Sequence, residues 1–327
     1  MIKIGFIGLG GMARNHLERL REIPEVQVVA GAELDPGRRQ DVALKYGLRG
    51  YEDYKAMLDQ ETLDGVYVCI PPFAHDGQEA AIVERGLGLF VEKPVCLDPA
   101  YARRTAELIS SRSAINAVGY MYRYLDVVEE VKRIVRASPI VAMRGFYFGP
   151  LPSTPWWKRV ELSGGQIVEQ ATHVLDLMRY FAGEADFVSG EGYRGVMSDV
   201  DGYNIHDATT VNLHFANGAI ANLMTACVLA NQHCPGLEII TRGHRLWLDL
   251  PPRPAKLTQL DGVGLEFASG HDRFIKEDQA FIKAMLTKDQ NLIRSDYLDA
   301  VKTLELTLIA QEAVDNHTCV RLPVTRY

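Results

Sequence analysis

Over its first 120 residues the chain alternates short apolar runs with segments of helical periodicity, and this constrains the fold more than any other feature. The strand candidates 2–7, 26–32, 65–70, 87–91 and 115–119 are rich in β-branched residues and apolar at successive positions. A strand with one wet face would alternate apolar and polar side chains. An unbroken apolar run predicts burial on both faces, as in a parallel sheet covered by helices. Helical segments at 10–23, 36–46, 74–85 and 99–111 separate the runs. Strand and helix in strict alternation predict a doubly wound α/β domain.

The pattern changes near residue 122. A helix is expected at 125–136, then longer strands at 140–148, 186–195, 208–215, 219–228, 237–241 and 245–250. Asn217-Gly218 between two of them is a hairpin signal. A helix at 167–181 interrupts the strands, and helices at 273–286 and 295–316 follow them. These elements predict an α+β domain on a large, mostly antiparallel open sheet. The expected division is 1–122 and 123–327, which suits a chain of 327 residues. No Gly/Ser linker marks the boundary.

The composition removes several classes of function. Asp plus Glu is 42 against 35 Lys plus Arg, a net charge of −7, so no basic face for nucleic acid is expected. No apolar run is long enough for a membrane helix. The start, Met1-Ile2-Lys3-Ile4-Gly5, does not read as a signal peptide. Five scattered cysteines without a C-x-x-C pair argue against disulfides and a cysteine zinc site. A soluble, cytoplasmic protein is expected.

Directly after the first strand stands Gly8-Leu9-Gly10-Gly11-Met12-Ala13, a G-x-G-x-x-A motif opening a helix. Gly8 permits a tight turn, Gly10 lets backbone approach a pyrophosphate at the helix N-terminus, and Ala13 allows close helix–strand packing. Gly8, Gly10, Gly11 and Met12 are therefore expected to bind a dinucleotide. Glu33, at the end of the second strand, is the expected acid for the adenosine ribose, with Asp35 as a competitor. A carboxylate there disfavours a 2′-phosphate, which points to NAD. Arg38 and Arg39 keep NADP open.

Two further strands end in Pro71-Pro72-Phe73-Ala74-His75 and in Glu92-Lys93-Pro94. Ligands of open α/β sheets lie beyond the carboxyl ends of strands. Pro71, His75, Glu92 and Lys93 are thus expected on the cofactor edge. Lys93 there can hydrogen-bond a substrate hydroxyl and help move its proton. Taken by themselves, His75 reads as part of a turn, His16 as a helix-packing residue and Lys93 as a surface lysine.

Residues 4–16, Pro71-Pro72-x-x-His75, Glu92-Lys93-Pro94 and Gly119-Tyr120-Met121-Tyr122-Arg123 occur in an order and spacing that resembles the glucose–fructose oxidoreductase/inositol dehydrogenase (Gfo/Idh/MocA) family. The resemblance covers essentially the whole chain. It implies a Rossmann domain, a carboxyl-terminal domain on a large open sheet, and hydride transfer between a nicotinamide and a sugar, polyol or related carbonyl compound. It also implies that a second subunit covers one sheet face, giving a homodimer or homotetramer.

In the second half, Glu169, His173 and Asp176 would share one face of the 167–181 helix, with Val168, Ala171, Leu175 and Met178 as its buried stripe. An acid beside a histidine is suited to proton transfer. The bland reading is a structural His–Glu pair. The resemblance maps the family's catalytic lysine, acid and histidine onto Lys93, Glu169 and His173. It departs at Glu169, where family members often carry Asp. Tyr122, Arg123, Trp156 and Trp157 are candidate substrate contacts. Core packing accounts for the tryptophans equally well. Glu169 and His173 also have metal-ligand spacing, but nothing else supports a metal.

Three functions follow from these residues. The first is an NAD-dependent dehydrogenase of a sugar, inositol or related polyol, with His173 taking the hydroxyl proton and Lys93 assisting. The second is an NAD-dependent glycoside-cleaving enzyme that oxidises, eliminates and re-reduces. The third is a non-catalytic NAD-binding regulator, which would not need both Lys93 and His173.

Overall fold

A computed structural model describes residues 1–251, 254–260, 266–268, 270 and 272–323. In chain order the first elements are β1 (Ile2–Ile7), α1 (Gly11–Leu20), β2 (Val26–Ala32), α2 (Pro36–Tyr46), β3 (Arg49–Tyr51), α3 (Tyr54–Gln60) and β4 (Gly65–Val68). Then come α4 (Gln78–Glu84), β5 (Gly88–Val91), α5 (Pro99–Arg112), β6 (Asn116–Val118), α6 (Asp126–Ala137) and β7 (Ile140–Phe148). Three helices follow, α7 (Val160–Ser163), α8 (Gly165–Glu169) and α9 (Thr172–Ala182). The strands β8 (Ala185–Tyr193), β9 (Ala208–Phe215), β10 (Ile220–Ala226), β11 (Cys234–Thr241), β12 (His244–Asp249), β13 (Lys256–Gln259) and β14 (Glu266–Ala268) succeed them. Last are α10 (Arg273–Thr287), α11 (Tyr297–Asn316) and β15 (Cys319–Arg321).

The chain forms two compact units, Met1–Tyr124 with Asp272–Val301, and Leu125–His271 with Lys302–Tyr327. This differs from the continuous division after residue 122. The sequence reading placed α10 in the second domain, whereas its Phe281 and Ile282 belong to the same apolar cluster as Phe6, Tyr67 and Phe90 of the first sheet.

The first unit holds a parallel sheet in the order β3-β2-β1-β4-β5-β6, the doubly wound dinucleotide topology. Three of its strands are buried on both faces, as the unbroken apolar runs require: every residue of β4, β5 and β6 is buried. Asp-Pro pairs begin two helices. The Asp35 carboxylate accepts from Arg38 N at the start of α2, and that of Asp98 from Ala100 N at the start of α5. Gly65 and Gly88 admit Met285 of α10. A Cβ on either would lie 2.7 or 2.5 Å from its sulfur. The expected 74–85 helix is instead a 3₁₀ turn, Pro72–Ala74, followed by α4, because Gly77 stands between them at φ 93°. Sequence patterning passed over the short β3 and α3.

The second unit holds a nine-stranded sheet, among the described residues, ordered β14-β13-β12-β11-β7-β10-β9-β8-β15. Only the β7–β10 pair is parallel. Asn217-Gly218 makes the β9–β10 hairpin, with Gly218 at φ 91°. One face packs on α9, where Met178 and Val174 close over Gly145 of β7. The opposite face exposes Ile220, Met224 and Ile240. None of the described helices is long and apolar enough to cross a membrane.

The single helix expected at 167–181 is two helices. Ala171 N reaches back five residues to Gln166 O (2.9 Å), which also accepts from Gln170 N (3.1 Å). This wide turn closes α8, and α9 starts afresh at Thr172. Glu169 is thus the last residue of one helix and His173 the second of the next.

Candidate active site

At the turn from β1 to α1, Gly8 has φ 85°, and a Cβ on it would lie 2.4 Å from the backbone oxygen of Cys69. Only glycine fits. Gly10 and Gly11 are different, because a Cβ on either would meet nothing within 4 Å. The space above them is open. The first turn of α1 has neither a side-chain cap nor an acidic residue. The start of α1 thus opens on free space and carries no acid of its own, which suits a pyrophosphate. Ala13 is fully buried against the sheet, as the motif requires.

Glu33 follows β2. Its Oε2 accepts from Leu9 N (3.0 Å) and from Arg38 Nη1 (3.2 Å), while Oε1 accepts from Asp35 N (3.1 Å). The carboxylate is fixed against the phosphate loop itself. Asp35 is used as the cap of α2. Arg39 Nη1 donates to the Glu33 backbone oxygen (2.6 Å). These residues fit a dinucleotide, with backbone N–H groups for its phosphates and Glu33 for its ribose.

Lys93 is half-buried just beyond the carboxyl end of β5, next to β4 and on the edge where β1 delivers the phosphate loop. Beneath it, the buried Glu92 carboxylate accepts from Lys93 N at Oε2 (3.1 Å) and bonds His16 Nε2 at Oε1 (2.9 Å). His16 Nδ1 meets Asp278 Oδ1 of α10 (2.7 Å), which also accepts from Tyr67 OH (3.1 Å). Burial alone would lower the His16 pKa. The facing carboxylates of Asp278 and Glu92 overcome it and hold the ring well above the ordinary histidine range.

Other expected site residues have partners within the first unit. The His75 side chain is buried, and its Nδ1 pairs with Glu79 Oε1 (2.5 Å). Tyr101 OH donates to the other Glu79 oxygen (2.5 Å). Burial would raise the Glu79 pKa, but His75 and Tyr101 outweigh it and leave it low. Pro71 is partly exposed and precedes the 3₁₀ turn. Tyr122 and Arg123 are buried in the turn Met121–Tyr124. Arg123 donates to the Arg294 backbone oxygen (2.6 Å) and pairs with Asp299 (2.5 Å), so it braces its own unit.

In the second unit His173 is buried at the start of α9 and Glu169 is half-buried at the end of α8. Glu169 Oε2 accepts from Trp157 Nε1 (2.6 Å). Trp157 itself is only 2 % exposed, in a cluster with Ile205 and Cys227, which places it in the core rather than as an open stacking platform. Trp156 packs on the edge of that cluster. Asp176 Oδ1 accepts from Thr303 Oγ1 (2.9 Å), whose oxygen accepts from Arg179 (2.6 Å).

Residues 2–120 match a model described as an oxidoreductase family with an NAD-binding Rossmann fold, and residues 130–246 match the GFO/IDH/MocA C-terminal domain. The chain belongs to the Gfo/Idh/MocA family. It is an NAD-binding oxidoreductase. An uncharacterised protein of Schizosaccharomyces pombe is 30 % identical over 82 % of this chain and 74 % of its own length. The myo-inositol 2-dehydrogenase of Thermotoga maritima is 25 % identical over 98 % of both chains. Among solved structures, scyllo-inositol dehydrogenase of Lactobacillus casei with NAD(H) and scyllo-inositol shares the fold, at TM-score 0.84 and 21 % identity over 98 % of this chain and 99 % of that one.

The sequence reading treated His16 as packing and did not single out Tyr67, Glu277 or Asp278. A signal existed. Glu277 and Asp278 fall between Phe274 and Phe281 on the buried face of α10, and charge at core positions demands partners.

The loop geometry predicts a separation of folding from binding. Gly10→Ala should leave the melting temperature within about 2 °C, since its φ of −72° is ordinary and the space is open. The same Cβ should weaken NADH binding by about tenfold or more, read by fluorescence titration, because it stands where the phosphates approach. Unchanged affinity would mean that the loop does not hold the cofactor.

Proposed function

We propose that this oxidoreductase is an NAD-dependent dehydrogenase acting on the hydroxyl-bearing carbon of a sugar, inositol or related polyol. The observation that carries the reading is the placement of Lys93 on the same sheet edge as the open phosphate loop, within one unit. The kinship with inositol dehydrogenases over nearly the full chain supports the substrate class.

Bound NAD supplies the hydride acceptor. Glu33 binds the ribose diol and disfavours a 2′-phosphate by charge. Lys93 donates a hydrogen bond to the substrate oxygen and stabilises negative charge as it develops there. His173 is the acid–base group that takes the hydroxyl proton. Glu169, with one oxygen held by Trp157, is a positioning residue on this reading. A carboxylate already bonded by an indole N–H is well placed to orient a neighbour and poorly placed to move.

We further propose a homo-oligomer through the uncovered sheet face, on which Ile220 and Met224 are 56 % and 47 % exposed. Sedimentation equilibrium of the native chain should show a dimer or tetramer at micromolar concentration. A monomer would remove this part.

Two measurements test the chemistry. A panel of inositols, aldoses and glycosides with NAD and NADP should give reduced cofactor with a polyol or sugar. His173→Ala should then lose about 10²- to 10⁴-fold in kcat while NADH still binds. A near-native rate would end the assignment of His173. Cleavage of a glycoside with no net NADH would replace the dehydrogenase reading by oxidation, elimination and re-reduction. Glu33→Ser should shift the kcat/KM ratio of NAD to NADP toward NADP by about tenfold or more. A ratio that stays constant would show that another residue selects the cofactor.

A further inference from the structure

The carboxylate pair around His16 does more than fill a core. We propose that His16 is a positioning residue for Lys93: by bridging Glu92 and Asp278 it ties the turn that carries the lysine to the helix that opens on the cofactor phosphates. The inference rests on the reading of Lys93 as the residue that meets substrate.

Three elements converge on this ring. His16 comes from α1, whose N-terminus is the phosphate loop. Glu92 follows β5, and Asp278 lies on α10. The bridge is continuous from Asp278 Oδ1 to His16 Nδ1 (2.7 Å), from His16 Nε2 to Glu92 Oε1 (2.9 Å), and from Glu92 Oε2 to Lys93 N (3.1 Å). One carboxylate thus holds the imidazole with one oxygen and the lysine backbone with the other. Every side chain in the bridge is buried, and His16 and Asp278 are fully so. Gly119 makes room for Glu92, since a Cβ there would lie 2.8 Å from Glu92 Oε1. Tyr67, Phe90 and Phe274 rings pack around the imidazole.

The charges decide the form of the ring. The groups facing it are Glu92, Asp278, Glu277 and the Tyr67 hydroxyl, with the Cys69 thiol close to the two acids. Glu277 is pushed well above the usual carboxylate range, first by burial and then by Glu92. Among the described residues neither of its oxygens has a hydrogen-bond partner. Burial and the neighbouring acids thus disfavour a third negative charge here. With both ring nitrogens facing carboxyl oxygens, the imidazolium, which donates from both, matches the two contacts. A neutral side chain at this position would leave two buried acids without a cation, and they would take up protons.

The first test uses the native protein. Ring ¹³C and ¹⁵N shifts of His16, followed from pH 6 to 9, should report imidazolium well past the ordinary titration of histidine. A neutral ring at pH 7.5 overturns the proposal. The second test compares His16→Gln with Asp278→Asn, which keeps the side-chain shape in case the first does not fold. The readout is the rate at which an amine-selective acylating reagent labels Lys93, with and without NADH. In folded variants that bind NADH within about threefold of native, Lys93 should label at least about threefold faster, and kcat should fall about 10- to 100-fold with substrate KM little changed. A fall in kcat with Lys93 labelling unchanged overturns the positioning role. Altered labelling with kcat intact supports the bridge and instead removes Lys93 from the reaction.

Discussion

A carboxylate taken out of water must find a cation or accept a proton, and the first unit buries three of them around one imidazole. Glu92 and Asp278 face His16, and burial pushes the Glu277 carboxyl well above its usual range. Much of the local geometry follows. His16 links α1 to the residue after β5 and to α10. Glu92 then has one oxygen left for the Lys93 turn. Removing either acid would leave the other charges unbalanced in a place where water cannot help. The cluster is therefore a strong constraint on α1, β5 and α10 together.

Close approach is the second recurring device. Gly8 lets the turn after β1 graze the backbone at Cys69, and Gly119 lets a buried carboxylate lie against the end of β6. In the second unit Gly145 lets Val174 and Met178 of α9 settle onto β7, which seats the start of that helix and with it His173. Here a missing side chain on one element lets a helix settle on another.

The doubly wound sheet was legible because its signal is local: apolar runs of strand length, each followed by a helix, with Gly8-x-Gly10-x-x-Ala13 at the first junction. The mixed open sheet and the Asn217-Gly218 hairpin were legible for the same reason. The break at Gln170–Ala171 was not, because residues 167–181 keep helical spacing across it and the wide turn lies in the backbone. The short strands β13, β14 and β15 carry too few residues to show a period. The return of α10 to the first unit is a long-range packing fact that no local window reports. At the candidate site, the positions of Gly8, Gly10 and Glu33 just beyond β1 and β2 were legible from spacing. The engagement of Glu169 with Trp157 depends on two side chains brought together by tertiary structure, and so does the pairing of Arg123 with Asp299.

The first unit is built from two separated stretches, and this sets an order of events during synthesis. The strands of the parallel sheet leave the ribosome early. Phe281, which packs on Tyr67 and Phe90, leaves only after β7 to β14 have been made. Until then the aromatic stack and the acids of the cluster lack their α10 neighbours. The amino-terminal half of a nascent chain thus waits, with apolar surface uncovered, for a helix encoded far downstream. It is in that interval that the chain is most open to chaperone capture or to pairing with another unfinished copy.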